Sequence, residues 1–239
     1  MKKTKPKDLE QFQKDVQHLI NKRKNTIDNI RAKNHIKVEG DQCPPPLCSF
    51  PQIARHFNSK YLLQTIKGCG YKRPTPVQMQ AIPIMAHKRS AIILAETGSG
   101  KSLAFAVPLL EMLKRGEGLK AVVLAPTREL TIQIYKEFLI LSENHISIAP
   151  RVKFLRKSHI PKDEAGLKKL TQSTEILIAS PLKMGQLCEL FPTIRTIETL
   201  IVDEADKMFE MGFLEQIDQI LVNLPNQASI AKYMFSATM

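Results

Sequence analysis

No run of the 239-residue chain approaches the roughly 18 uninterrupted apolar residues of a membrane-spanning helix. The basic start, Met1-Lys2-Lys3-Thr4-Lys5-Pro6-Lys7, has no apolar stretch behind it, so it is not a secretory signal. Cysteine is scarce. Cys43, Cys48, Cys69 and Cys188 are the only four; none sits in a C-x-x-C pair, and no His/Cys cluster has zinc-ligand spacing. That excludes a zinc module and makes a reducing intracellular compartment the simplest setting. No internal repeat is visible, so a solenoid is excluded as well. Acidic residues are in deficit: 23 Asp and Glu face 35 Lys and Arg, for a net charge of +12. With a pI near 9.6, such a chain suits a polyanionic partner, nucleic acid ahead of an anionic membrane.

What is present is ordinary globular composition, 43% hydrophobic and 24% charged, with room for one large domain or two small ones and a sizeable core. Residues 1–40 hold eleven Lys or Arg against five Asp or Glu, half of the net charge. Leu9, Phe12, Val16, Leu19 and Ile20 recur there at helical spacing. The stretch reads as a basic arm, either a short amphipathic helix in an otherwise extended segment or a disordered tail. Cys43-Pro44-Pro45-Pro46-Leu47 is neither helix nor central strand, because consecutive prolines lack donors and fix φ; it reads as a stiff connector.

Beyond residue 50, apolar runs alternate with helical patterns. The strand candidates are 91–94, 121–125, 152–155, 176–179, 200–202 and 233–235; the helical segments between them are 103–114, 129–143, 161–172, 182–190 and 213–224. The near-continuous apolar character of the runs suits strands buried on both faces. The alternation predicts an α/β domain, a parallel sheet with helices on both faces, whose ligands bind at the carboxyl ends of the strands.

Two motifs stand at such ends. Ala95-Glu96-Thr97-Gly98-Ser99-Gly100-Lys101-Ser102 follows the apolar run Ala91–Leu94 and opens a helix, the context a phosphate-binding loop requires. Gly98 and Gly100 let backbone N–H groups turn inward, and the helix N-terminus adds its dipole. Lys101 would reach the β- and γ-phosphates, and the Ser102 hydroxyl would ligate Mg²⁺. Asp203-Glu204-Ala205-Asp206 follows Leu200-Ile201-Val202. Asp203 at the strand tip can hold the Mg²⁺ through its water shell, and Glu204 can act as general base toward the attacking water.

With these two motifs, Pro126-Thr127-Arg128-Glu129-Leu130 and Ser236-Ala237-Thr238 appear in an order and spacing that resemble a DEAD-box RNA helicase. They are similar to that family's motifs I, II, Ia and III, and an alanine opening motif I is common there, which accounts for Ala95. The resemblance covers residues 38 to 239 and implies the first RecA-like P-loop NTPase domain of a two-domain helicase core. On that basis the chain divides into a basic arm (1–40), a linker and Q-motif region (41–78) and a C-terminally incomplete ATP-binding domain (79–239). Met239 closes the chain before a second RecA-like domain, so the isolated chain is expected to bind ATP weakly and to show little RNA-stimulated turnover.

Gly70-Tyr71-Lys72-Arg73-Pro74-Thr75-Pro76-Val77-Gln78 resembles the family's Q motif. The Gln78 amide offers the donor and acceptor that match adenine N6 and N7, which favours ATP over GTP. Thr75 assists near the phosphate loop, and Tyr71 belongs to the same ATP-binding set. Phe50 is the candidate to cover the adenine, with Phe57 as the alternative and a plain core role as the third. Thr127 can cap the helix it precedes, while the resemblance implies that Pro126, Thr127 and Arg128 face RNA phosphates. Ser180, Pro181 and Lys183 stand where the family's T-P-G-R element is expected. Ser236, Ala237 and Thr238 would couple hydrolysis to unwinding through the acidic motif.

Two departures from the family pattern matter. A double glycine is usual after the strand near 152–155, yet the chain continues Arg156-Lys157-Ser158-His159; the T-P-G-R element reads Ser180-Pro181-Leu182-Lys183. The missing glycines remove close backbone approach to RNA, and Arg156, Lys157 and Lys183 replace it with charge. With the lead-in Val38-Glu39-Gly40, Pro44-Pro45-Pro46 and Phe50, these departures resemble a ribosome-biogenesis branch acting on small-subunit ribosomal RNA. The function expected is an ATP- and Mg²⁺-dependent RNA helicase in rRNA processing, monomeric, nuclear or nucleolar, with pre-ribosomal RNA and proteins as partners and no membrane. The alternative is a non-catalytic RNA- or pre-ribosome-binding module. A DNA-acting motor is disfavoured by the Q-motif match.

Overall fold

The computed structural model describes residues 6–57, 61–143, 149–191, 194, 196–224 and 229–238. The chain forms two compact units, Met1–Pro46 and Leu47–Met239.

The first unit contains α1 (Pro6–Lys33), one unbroken helix of 28 residues. This is longer than the short helix expected from the apolar spacing. No glycine or proline occurs between Lys7 and Glu39, and the Lys- and Arg-rich second half consists largely of residues that lose little rotamer freedom in a helix. Arg31 donates to the carbonyls of Pro44 (3.0 Å) and Cys43 (3.4 Å), so the connector folds back along the end of its own helix.

The second unit begins with a 3₁₀ turn, Phe50–Arg55, then α2 (Tyr61–Gly68) and α3 (Pro76–Ala86). Among the described residues of the stretch grouped in the sequence with the connector, Leu47, Phe50, Ile53, Leu62 and Ile66 are all buried in the core. The alternation that follows is β1 (Ala91–Leu94), α4 (Lys101–Met112), β2 (Ala121–Leu124), α5 (Arg128–Ser142), β3 (Val152–Phe154), α6 (Glu164–Gln172), β4 (Ile176–Ala179), α7 (Pro181–Leu190), β5 (Thr199–Val202), α8 (Ala205–Glu210), α9 (Leu214–Asn223) and β6 (Ala231–Ser236). All six strands are parallel, in the order β1-β6-β5-β2-β4-β3. This is the sheet that the alternating pattern predicts.

Each strand divides its side chains between two cores because successive residues face opposite ways. Ala121 and Val123 of β2, with Ile178 and Ile201, pack against α2–α5 through Phe105, Ile134 and Phe138. Val122 and Leu124, with Leu177 and Leu200, pack against α6–α9 through Leu170, Met184, Met208 and Ile220. On β1 only Ala91 and Ile93 pack this way. Ile92 and Leu94 point to the other face and stay 56% and 50% exposed.

The register brings the carboxyl ends together. Leu124 pairs with both Ala179 and Val202, Val202 with Met234, and Leu94 with Ser236. Residues immediately after these positions therefore share one rim. Ile201→Ala, at a fully buried position, is expected to cost about 2–5 kcal/mol of stability, whereas Ile92→Thr should stay within about 0.5 kcal/mol. Denaturant unfolding of the two variants measures the contrast.

Candidate nucleotide site

The phosphate-loop sequence spans the turn from β1 into α4. Ala95 N–H donates to the Ser236 carbonyl at 2.9 Å, which ties the loop base to β6. Gly100 caps α4 with φ of 90°, a left-handed backbone that disfavours a side chain. A Cβ there would also collide with the Gln78 amide. Gln78 explains the closeness. Its Nε2 donates to the Gly100 carbonyl (3.1 Å) and its Oε1 accepts from the Thr75 N–H (3.0 Å). At 2% exposure, Gln78 therefore clamps the start of α3 to the phosphate loop. One Nε2 hydrogen and one Oε1 lone pair remain for a ligand.

Lys101 is only 5% exposed. Its Nζ donates to the Ala95 carbonyl at 2.9 Å and lies 3.5 Å from Glu204 Oε1. Glu204 in turn pairs with Lys207 of α8, Nζ to Oε2 at 3.0 Å. Glu204 holds φ of 52°, a left-handed conformation costing of order 1–3 kcal/mol for a side-chain-bearing residue. That kink turns the chain sharply from β5 into α8 and presents the carboxylate to Lys101 across the rim. Asp203, one residue earlier, is buried, and its Oδ1 has no hydrogen-bond partner. Burial, then the neighbouring Glu204 carboxylate, push the Asp203 carboxyl up to about 7. A buried oxygen without a donor, crowded by a second carboxylate, fits a divalent cation, whose charge would relieve both penalties.

Sequence reasoning missed Glu137. It lies on α5, half-buried, hydrogen-bonded to Ser102, and its carboxyl is raised by burial. Its charge also acts on Asp203 and on the exposed Tyr71, whose hydroxyl is raised by burial and then by Glu137. The signal was available: Glu137 interrupts the buried stripe that contains Ile134, Phe138 and Leu141.

The last acidic residue of the D-E-A-D run faces β6. Asp206 Oδ2 accepts from the N–H groups of Ala237 (3.0 Å) and Thr238 (3.1 Å) and from the Thr238 hydroxyl (3.2 Å), while Oδ1 accepts from the Lys207 N–H. Burial alone would raise the Asp206 carboxyl, but these donors together hold it below the usual range. Ser236 is buried and directs its hydroxyl to the Thr238 carbonyl.

Phe50 is 4% exposed within the core, and Phe57 is buried too, so both rings take part in packing, the core role that the sequence left open beside adenine covering. Thr127 caps α5, its hydroxyl accepting from the Leu130 N–H at 3.3 Å. Arg128, Ser180 and Lys183 line one cleft beside β3, apart from the phosphate loop, and Pro181 opens α7 next to it.

A buried lysine, a strand-tip carboxylate and a glycine-turned loop at the ends of parallel strands define the P-loop class of nucleotide-binding proteins. The family follows from comparison: residues 75–239 match the DEAD/DEAH box helicase model, and the chain belongs to that family. It is 39% identical over 91% of its length to the probable ATP-dependent RNA helicase ddx52 of Dictyostelium discoideum, covering 32% of that protein. It is 38% identical over 87% of its length to the ATP-dependent RNA helicase ROK1 of Yarrowia lipolytica, covering 40% of that one. The chain thus spans about a third to two fifths of the length of these relatives, 32% and 40%. Among solved structures, the yeast DEAD-box splicing factor Prp28 matches with a TM-score of 0.73 and 29% identity, over 89% of this chain and 51% of that one.

The raised Asp203 carboxyl has a measurable consequence. As pH rises from about 4 toward 7, the unfolded chain releases this proton before the folded one does, so the fold loses stability. Asp203→Asn keeps the shape without the charge. Its Tm is expected to exceed that of the unmodified chain by on the order of 10 °C at pH 8, with the gap closing toward pH 4.5 in thermal melts.

Proposed function

We propose that this chain is the ATP-binding, RNA-gripping domain of an ATP-dependent RNA helicase that acts on ribosomal RNA during small-subunit maturation. The observation that carries the catalytic part is the convergence of Lys101, Asp203 and Glu204 on one rim, with Asp203 Oδ1 buried and unpartnered. On ATP binding, Lys101 exchanges the Ala95 carbonyl for phosphate oxygens. Ser102 and Asp203 would hold Mg²⁺, whose role is to neutralise charge on the phosphates. Glu204, released from Lys101 and still held by Lys207, orients the attacking water as general base. Gln78 reads adenine with its remaining donor and acceptor, and its clamp on Gly100 transmits that contact to the loop. Thr75 assists near the phosphate loop, and Tyr71 belongs to the same ATP-binding set.

Asp206 and the Ser236-Ala237-Thr238 strand end link the hydrolytic site to the β6 terminus, the coupling element in this reading. Pro126, Thr127, Arg128, Ser180, Pro181 and Lys183 form the RNA side, and the basic arm of residues 1–40 adds sequence-independent affinity for phosphates. The glycine-poor elements at 156–159 and 180–183 and the proline lead-in support the ribosomal-RNA branch. With that branch go a nucleolar location, pre-ribosomal partners and a monomeric state.

Binding of fluorescent adenine and guanine nucleotides with and without Mg²⁺ tests the site. Adenine preference is expected, and Lys101→Ala should weaken binding about tenfold or more, as lost charge-assisted bonds of roughly 1.5–3 kcal/mol require. Glu204→Gln should abolish turnover by removing the proton acceptor; because it also removes the negative charge that pairs with Lys101 and Lys207, nucleotide affinity should stay level or rise. Unchanged affinity in Lys101→Ala would overturn the nucleotide site and leave a non-catalytic RNA-binding role.

A further inference from the structure

The cleft beside β3 holds more than a phosphate grip requires. It encloses about 640 Å³, within the roughly 300–1,000 Å³ typical of small-ligand clefts. Arg128, Lys157 and Lys183 stand on its wall, and none has a carboxylate within ion-pair distance among the described residues. Such cations suffice for a phosphodiester chain. Yet the floor is apolar, made by the buried side chains of Phe154 and Leu155. Over that floor lies Arg156, exposed to solvent, with its guanidinium carbon 4.3 Å from the centre of the Phe154 ring. Phe154 is also packed by Tyr135, with ring centres 5.2 Å apart. A cation held on a buried aromatic ring is already ordered, so a ligand stacking on it meets less of the usual cost of immobilising an arginine.

We propose that this cleft is a stacking subsite for one unstacked base of single-stranded RNA, with the Arg156 guanidinium as its platform and Arg128, Lys157 and Lys183 holding the flanking phosphates. The proposal rests on the RNA reading above and deepens it: the chain grips a base as well as the backbone. Guanidinium planes and aromatic rings are the surfaces on which splayed RNA bases stack, and such stacking tolerates any sequence because every base has a π-face. It also gives Arg156 a role that a glycine pair at the same place cannot perform.

The test uses the full chain and a labelled single-stranded RNA of about ten nucleotides, in which one abasic ribose is walked along the strand. Anisotropy titrations should find a position where removing the base weakens binding by at least about fivefold. Arg156→Lys keeps the charge and loses the plane. It should bind the intact RNA as weakly as the unmodified chain binds that abasic strand, and lose its sensitivity to the missing base. Because the side chain is exposed, its melting temperature should be unchanged. If no position matters, or if the base dependence survives in Arg156→Lys, the subsite is overturned. If the unmodified chain binds neither strand, the RNA reading itself fails, a result visible before any base is compared.

Discussion

The contact between Lys101 and Glu204 governs the rim on which the rest of the site depends. A buried ammonium and a buried carboxylate each incur a large desolvation cost, and the two offset it only when paired and hydrogen-bonded. Here the pair is supplemented by the Ala95 carbonyl on one side and Lys207 on the other. Reaching that geometry requires Glu204 to occupy a left-handed backbone and Gly100 to turn without a Cβ. The pair therefore holds a strained strand-to-helix turn against a glycine-dependent one. In the proposed reading it is also the contact that a phosphate would displace.

Around this pair, two further links join separate elements. Gln78 fastens α3 to the loop, and Asp206 gathers the N–H groups of Ala237 and Thr238. One would report the base of the nucleotide and the other the state of the acidic motif. Both act through backbone groups of glycine, alanine and threonine, so the information passes through main-chain position rather than long side chains. The cleft beside β3 lies farther along the same rim, where Phe154 ends its strand in register with Ile178. Charge and an aromatic floor there occupy the place where small residues were expected.

Much of this was legible from residues alone because parallel strands buried on both faces leave continuous apolar runs, and because phosphate chemistry restricts loop sequences tightly. The runs at 91–94 and 176–179 match their strands residue for residue. The six-residue helix after Glu204 was not legible: Ala205–Glu210 is too short for periodicity, and its start depends on a backbone kink. Nor was the length of α1, whose second half lacks an apolar stripe and is carried by propensity. The packing of Phe50 was not legible for a related reason: whether a ring faces a cleft or the core depends on helices far away in the chain.

The sequence by itself determined the α/β alternation, the identity of the phosphate loop and the acidic strand tip, and the basic balance of the chain, since each follows from local chemistry and spacing. Only the tertiary structure decided that Gln78 is a clamp, that Glu137 joins Ser102 and Asp203, that Phe50 is core, and that Arg156 rests on Phe154. Those facts depend on which residues from distant segments meet when the six strands align, and registry between strands is set by packing that no single segment encodes.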